Sequence, residues 1–174
     1  MRIKHKILGL FSLIFVGACA TPAPMPTVDH VDIERFMRDW YVIANIPTMF
    51  EKSAFNAVES YRLDDDGSIA TTFTFRAGAF DGDERVYTPR GFVRDTDSNA
   101  IWGMQFIWPF KAEYRIVYLN EDYSQTIVGR SKRDYVWIMA RTPTIPDADY
   151  QSLLTLVGDL GYDQSLVQRV PQQW

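Results

Sequence analysis

Residues 100–119 read Ala-Ile-Trp-Gly-Met-Gln-Phe-Ile-Trp-Pro-Phe-Lys-Ala-Glu-Tyr-Arg-Ile-Val-Tyr-Leu, and large apolar side chains alternate with other residues on both sides of Pro109. Each half places three of these side chains in one phase: Trp102, Met104 and Phe106, then Tyr114, Ile116 and Tyr118. Successive side chains of a β-strand point to opposite faces, so each half predicts a strand with one apolar, inward-pointing face. Pro109 predicts the turn between the two strands.

Similar short runs, rich in aromatic and β-branched residues and separated by turn residues, continue through the chain. There are eight of them: 40–46, 57–63, 69–76, 86–94, 100–107, 112–119, 124–129 and 135–142. The pattern predicts an all-β fold, because eight antiparallel strands joined by short turns can close into an up-and-down barrel without open edges. Such a barrel holds either side chains alone or side chains and a small ligand, so the pattern leaves a filled interior and a hollow one as alternatives.

A C-terminal α-helix, packed on the outside of the barrel, is predicted after the last strand. Thr144 is a suitable N-cap, Pro146 suits the first turn, and Gly161 suits the end of the helix. One face of this helix is apolar, with Tyr150, Leu153, Leu154 and Val157. Residues 162–174 show no comparable pattern.

The first 18 residues have the composition of a secretory signal. Arg2, Lys4 and Lys6 precede an apolar run over 7–16, which is shorter than the roughly 20 residues that a membrane-spanning helix needs. The next residues, Val-Gly-Ala-Cys at 16–19, resemble the lipobox of bacterial lipoproteins, in which the cysteine is acylated and becomes the first residue of the mature protein. The alternative is an ordinary signal peptide that is cleaved after Ala18 or Ala20.

Residues 19–30 contain three prolines and few residues to bury, which predicts an extended tether between the lipid anchor Cys19 and a single domain over 31–174. The chain has 22 acidic residues against 18 Lys and Arg, a net charge of −4, and the signal would remove basic residues only. This acidic balance argues against a nucleic-acid partner. We expect no metal and no cofactor.

Residues for catalysis are scarce. After removal of the signal the chain has one histidine, His30, which lies in the predicted tether, so no Ser-His or Cys-His pair can form within the domain. The run Asp-Asp-Asp-Gly at 64–67 lacks the later ligands of an EF-hand loop and is typical of a hairpin turn. We therefore predict that the protein is not an enzyme, with acid–base chemistry on Glu59 as a remaining alternative.

Two segments resemble the lipocalin family. Phe-Met-Arg-Asp-Trp-Tyr-Val-Ile-Ala at 36–44 resembles the Gly-x-Trp-Tyr signature of the first strand, and residues 133–145 resemble the last strand and helix entry of bacterial lipocalins. The likeness covers residue 31 to about 162, and it implies that Trp40 plugs the closed end of the barrel with Arg141 over its indole. Arg38 stands where the signature has glycine.

The resemblance implies a ligand, either a fatty acid or a lysophospholipid, that is stored or transported in the cell envelope. Eight residues are predicted to bind it: Glu59, Tyr61, Met104, Phe106, Tyr114, Ile116, Trp137 and Met139. We expect Glu59 near the cavity mouth beside the head group, with an outward-facing, solvated side chain as the alternative.

The location follows from the resemblance of residues 16–19 to a lipobox. Since Ala20 is not aspartate, an acylated Cys19 implies attachment to the outer membrane, with the domain in the periplasm. The sequence also leaves open an envelope interaction module with a filled barrel, acting through an exposed rim of Phe50, Phe80 and Trp108. The oligomeric state is not predicted.

Overall fold

Ten β-strands and two α-helices form between residues 25 and 174, the part of the chain that the computed structural model describes. The strands are β1 (Arg38–Ile46), β2 (Ala54–Leu63), β3 (Ile69–Ala77), β4 (Glu84–Tyr87), β5 (Arg90–Val93), β6 (Ile101–Ile107), β7 (Phe110–Leu119), β8 (Gln125–Gly129), β9 (Val136–Ala140) and β10 (Gln168–Arg169). The helices are α1 (Ile33–Phe36) and α2 (Asp147–Asp159), and a 3₁₀ turn spans Gln164–Leu166. The predicted signal segment, Cys19 and the first half of the predicted tether lie outside these residues.

The sheet closes on itself. Each strand from β1 to β9 pairs antiparallel with its neighbour along the barrel, and β9 pairs back with β1 from Tyr41↔Ala140 to Ile46↔Val136. β4 and β5 are two halves of one barrel strand, since both pair with β3 and only Thr88 and Pro89 separate them. Proline has no backbone N–H for the ladder, which explains the interruption. The predicted eight-stranded antiparallel barrel is therefore confirmed.

Two apolar cores stabilise this arrangement. One fills the closed half of the barrel and includes Trp40, Trp102 and Ile116, all fully buried. The other lies between the outer wall and α2, where Ile138 packs with Leu153 and further buried side chains of the helix. The prediction of a helix packed outside the barrel is thus confirmed.

The cap predicted for this helix is wrong. Pro146 occupies the N-cap position, and no side chain caps the helix. Thr144 lies two residues before this position, and its carbonyl accepts a hydrogen bond from the Thr142 hydroxyl. The predicted end is correct: Gly161 follows the helix with a φ of +90°, a conformation that glycine adopts without strain.

The closed end is built around Trp40. Its indole Nε1 donates a hydrogen bond to the carbonyl of Phe36, and the Arg141 guanidinium lies 3.8 Å from the centre of the Trp40 rings. Arg38, at the glycine position of the signature, has a φ of +79°. An L-residue in this left-handed region is strained by roughly 1–2 kcal/mol.

Both ends of the described chain pack against the barrel. Met25 and Val28 belong to the segment predicted as a tether, yet Met25 is buried and the Val28 N–H donates to the carbonyl of Ile116. At the other end, which shows no sequence pattern, β10 pairs with β1 and Val170 is buried. Between residues 25 and 174, no helix is both long and apolar enough to cross a membrane.

Candidate functional site

A cavity of about 310 Å³ occupies the half of the barrel opposite Trp40. Its walls are apolar for the most part and come from the β1–β2 and β8–β9 loops and from β2, β3, β4, β6, β7 and β9. The volume is at the lower end of the roughly 300–1,000 Å³ typical of small-molecule sites. The barrel is therefore hollow in this half, unlike the filled interior that the sequence left as an alternative.

The mouth of the cavity is surrounded by exposed apolar side chains. Six of them, which we call the apolar rim, lie on the β1–β2 loop and around the β6–β7 hairpin: Met49, Phe50, Phe106, Ile107, Trp108 and Phe110. Trp108 is the most exposed, with 81% of its surface accessible. Phe50 stacks against Phe106 across the mouth, with ring centres 6.3 Å apart. The predicted rim residue Phe80 is exposed on the β3–β4 loop at the same end, but it packs against Phe55 and does not line the cavity.

Five of the eight predicted ligand-binding residues line the cavity: Glu59, Met104, Phe106, Tyr114 and Trp137. The prediction of a cavity contact does not hold for Tyr61, Ile116 and Met139, which point inward but belong to the packed core below the cavity floor. Strand alternation gives the direction of a side chain and not its height in the barrel, and the lower half is filled by tryptophan and tyrosine rings.

The alternation predicts that the Tyr118 side chain points into the barrel, and this prediction is also wrong. The pairing of β7 with β8 shifts register between Ile116 and Tyr118, and Tyr118 packs with the α2 cluster outside the barrel. A β-bulge of this kind reverses the face of every later residue in the strand.

Two polar side chains, Glu59 and Tyr114, form the cavity floor, and Tyr61 lies directly beneath them in the packed core. The Tyr61 hydroxyl donates a hydrogen bond to Glu59 Oε2, and the hydroxyls of Tyr61 and Tyr114 are 2.8 Å apart. Burial in this apolar environment, with a smaller contribution from Glu51, raises the pKa of Glu59 to about 8. Glu59 is therefore mostly an uncharged carboxylic acid at neutral pH.

The expected position of Glu59 near the mouth is wrong, and so is the solvated alternative. β2 pairs Glu59 with Trp40, the plug of the closed end, which sets its height at the floor. Only 9% of the residue is exposed.

Glu51 is a second buried carboxyl on the cavity wall, and sequence reasoning missed it. Its oxygens accept hydrogen bonds from the Thr48 N–H at 3.0 Å and from Trp137 Nε1 at 3.2–3.3 Å. Burial raises its pKa, although these hydrogen bonds act in the opposite direction. No sequence signal identifies this residue, because it lies in a loop, where an acidic side chain is ordinarily solvated.

The cavity provides no cation for these two carboxyls. Among the described residues that line it, Arg130 is the one basic side chain, and its Nη1 pairs with Asp134 at 3.2 Å. The Glu113 carboxylate at the wall is paired with Arg115 and accepts from the Ser131 N–H. An anionic group placed at the floor would therefore lie beside two acidic residues without compensation.

The described residues include no cluster of three or more His, Cys, Asp or Glu side chains that could hold a metal ion. The run predicted as a turn joins β2 to β3, and Gly67 in it has a φ of +77°. His30 lies outside the barrel, with Nδ1 3.3 Å from the carbonyl oxygen of Asp97. The site is thus a lipophilic cavity with a polar floor.

Comparison with solved structures shows the fold. Insecticyanin from the tobacco hornworm Manduca sexta aligns with a TM-score of 0.67 and 14% identity, over 86% of this chain and 84% of that one. Lobster apocrustacyanin A1 aligns with a TM-score of 0.65 and 11% identity, over 87% and 92% of the two chains.

Sequence relatives cover nearly the whole chain. The outer membrane lipoprotein Blc of Citrobacter freundii is 28% identical over 94% of this chain and 93% of its own length. Blc of Vibrio cholerae is 22% identical over 98% and 100%, and the temperature-induced lipocalin-1 of Arabidopsis thaliana is 27% identical over 85% and 83%. A family model described as a lipocalin-like domain matches residues 31–172. With the closed barrel, its outer helix and these relatives together, the chain belongs to the lipocalin-like family and is a bacterial lipocalin.

Proposed function

We propose that this lipocalin binds single-chain amphiphiles, fatty acids or lysophospholipids, and stores or transports them in the cell envelope. The observation that carries the proposal is the cavity of about 310 Å³, which has apolar walls and opens among exposed apolar side chains. Burying an acyl chain there contributes about 0.8 kcal/mol per methylene group. Met49 and Met104 favour ligands of variable shape, because the thioether side chain is flexible and polarizable.

The polar groups of the cavity favour one orientation of the ligand. The tail lies at the floor beside uncharged Glu59, because an anionic head group there would lose its hydration without a cation to compensate it. The head group lies toward the mouth near Arg130, the one basic side chain among the described residues that line the cavity. A phosphate or carboxylate there would gain a charge-assisted hydrogen bond.

The location in the envelope rests on the N-terminal sequence and on the relatives. Cys19 is acylated and holds the protein in the outer membrane, with the domain in the periplasm. This proposal is supported by the resemblance of residues 16–19 to a lipobox and by the name of the Blc relatives, outer membrane lipoproteins. The relatives are named as lipocalins and lipoproteins, which supports binding rather than catalysis as the role of the cavity.

A blocked cavity tests the ligand proposal. Ala112 lies on the cavity wall, so Ala112→Trp fills the space that the acyl chain would occupy. Affinity is measured by titrating a fluorescent fatty acid and displacing it with lysophospholipid. The affinity should fall at least tenfold in A112W, and it should also change clearly in Trp137→Ala. Native mass spectrometry of the purified wild type should show a co-purifying lipid that A112W lacks.

The matched control is Trp174→Ala. Trp174 is exposed on the outer wall against Tyr41, so its removal should leave the affinity unchanged. Equal affinities in the wild type and A112W would mean that the ligand binds outside the cavity, and the proposal would then be wrong.

A further inference from the structure

We propose that the apolar rim docks into the surface of the lipid bilayer that holds Cys19, so that the cavity mouth opens directly toward lipid. The inference extends the proposed function and rests on its acylated Cys19. It is carried by two features that are independent of each other: the exposure of the rim, and the direction in which the N-terminal segment runs along the barrel.

The rim is the first feature. Met49, Ile107, Trp108 and Phe110 each expose 66–81% of their surface and lie at one end of the barrel. Apolar side chains that are grouped in this way, rather than scattered singly, mark protein or membrane contacts. Tryptophan in particular is enriched at the membrane–water interface, where its ring is apolar and its N–H stays hydrated.

The N-terminal segment is the second feature, and its contacts give its direction. The Val31 N–H donates to the carbonyl of Ser98, in a loop at the closed end. Val28 then bonds to Ile116 on β7, and the Met25 carbonyl accepts from Arg115 Nη1, one residue nearer the mouth. From residue 31 back to residue 25, the chain therefore runs from the closed end toward the mouth.

The chain that remains is long enough to bring the anchor to the rim and too short to carry it far beyond. Six residue steps separate Met25 from Cys19, and they span at most about 20 Å. Five residues of β7 separate Arg115 from Phe110, at the hairpin tip, which is about 17 Å along the strand. An acylated Cys19 can thus enter the bilayer while the hairpin touches the same surface.

The opposite end of the barrel is unsuited to this contact. A groove there is lined by charged side chains, among them Glu34, Arg35, Arg38, Asp39 and Asp122. Contact with the acyl region would strip water from these groups, at a cost of several kcal/mol for each unpaired charge.

The mouth itself is not uniformly apolar, which defines how the barrel is oriented. The β3–β4 loop at this end carries Asp81 and Asp83, which are exposed. The β6–β7 hairpin extends from β7, the strand along which the N-terminal segment runs. The barrel therefore leans with this hairpin into the lipid and the β3–β4 loop in water, and a lipid passes between bilayer and cavity without crossing bulk water.

Tryptophan quenching by brominated lipids tests the docking. The full acylated protein is reconstituted into vesicles of phosphatidylethanolamine and phosphatidylglycerol, with plain or brominated acyl chains. Trp108 should be quenched by the brominated chains, so the quenching should fall by more than half in Trp108→Gln and stay unchanged in the matched control Trp174→Gln. In plain vesicles, Trp108 should be protected from aqueous acrylamide and Trp174 should not.

The outcomes separate docking from ligand binding. The docking proposal is wrong if W108Q leaves the quenching unchanged, or if acrylamide reaches Trp108 and Trp174 equally. It is also wrong if Trp108 is protected only in cross-linked dimers or only when another protein is added. Fatty-acid affinity is measured on the same variants in detergent, where W108Q should match the wild type because Trp108 does not line the cavity. Loss of ligand binding in all of them, with Trp108 still quenched, would overturn the proposed function and leave the docking standing.

Discussion

Arg141 covers the indole of Trp40 and ties three segments of the closed end together. Its guanidinium carbon lies 3.8 Å from the ring centre, and its nitrogens donate to the carbonyls of Asp39, Arg35, Phe36 and Tyr123. The cation–π contact and the hydrogen bonds of a charged donor are each worth on the order of 1–2 kcal/mol in a partly shielded site. The pair therefore stabilises the barrel at the end opposite the cavity.

Replacing this arginine should destabilise the fold. We expect Arg141→Ala to lower the free energy of unfolding by about 2–4 kcal/mol, because the contact over Trp40 is lost and four carbonyls lose a donor. Urea denaturation followed by circular dichroism measures the change. Arg169→Ala is the matched control: Arg169 also lies 3.8 Å over a ring, that of Tyr150, but half of its side chain is exposed. An equal loss in both variants would contradict the special role of Arg141.

Arg38 stands at a glycine position of the lipocalin signature, with a φ of +79°. Arg38→Gly should raise the free energy of unfolding by about 1 kcal/mol, since relief of the left-handed strain is partly offset by the greater backbone freedom of glycine in the unfolded chain. The pKa of Arg141 is lowered mainly by burial and in part by the positive charge of Arg38, which this change also removes. Arg38→Ala removes the same charge and keeps the strain, so thermal denaturation of both variants separates the two effects. A glycine variant no more stable than the alanine variant would show that strain at this position is negligible.

The runs of aromatic and β-branched residues predicted every barrel strand, and the apolar face formed by Tyr150, Leu153, Leu154 and Val157 predicted the outer helix. Within the strands, alternation with a period of two predicted which side chains point inward. It failed where the period is interrupted or absent. The bulge after Ile116 turns Tyr118 outward, and Glu51 and β10 lie in segments without periodic pattern. The pattern also could not predict how far along the barrel axis a side chain lies, because this position depends on the register of strand pairing. Glu59 lies at the floor because it pairs with Trp40.

Met25 should contribute to stability although its sequence context predicts a tether. It is almost completely buried, against Tyr162 and beside Gly129. Truncating a buried methionine typically costs about 2–5 kcal/mol. We therefore expect Met25→Ala to lower the free energy of unfolding by at least about 2 kcal/mol and to increase amide exchange over residues 25–30. Met49→Ala, at an exposed methionine of the rim, should change stability little. Normal exchange in M25A would show that the segment is held without this side chain.

The protonation of Glu59 should make stability fall as pH rises. Its pKa is about 8 in the folded protein against an ordinary value of 4.5, so the folded state binds more protons than the unfolded state between these values. The stabilising effect of the proton is complete below about pH 4.5 and is lost as pH rises to about 8, with a slope of at most about 1.4 kcal/mol per pH unit.

Glu59→Gln should flatten the slope without abolishing it, because burial also raises the pKa of Glu51. Urea denaturation from pH 5 to 9 measures both slopes. Glu113→Gln is the control, since Glu113 is paired with Arg115 and should leave the decline between pH 5 and 8 in place. A wild-type slope that E59Q leaves unchanged would mean that Glu59 is ionised in the folded protein.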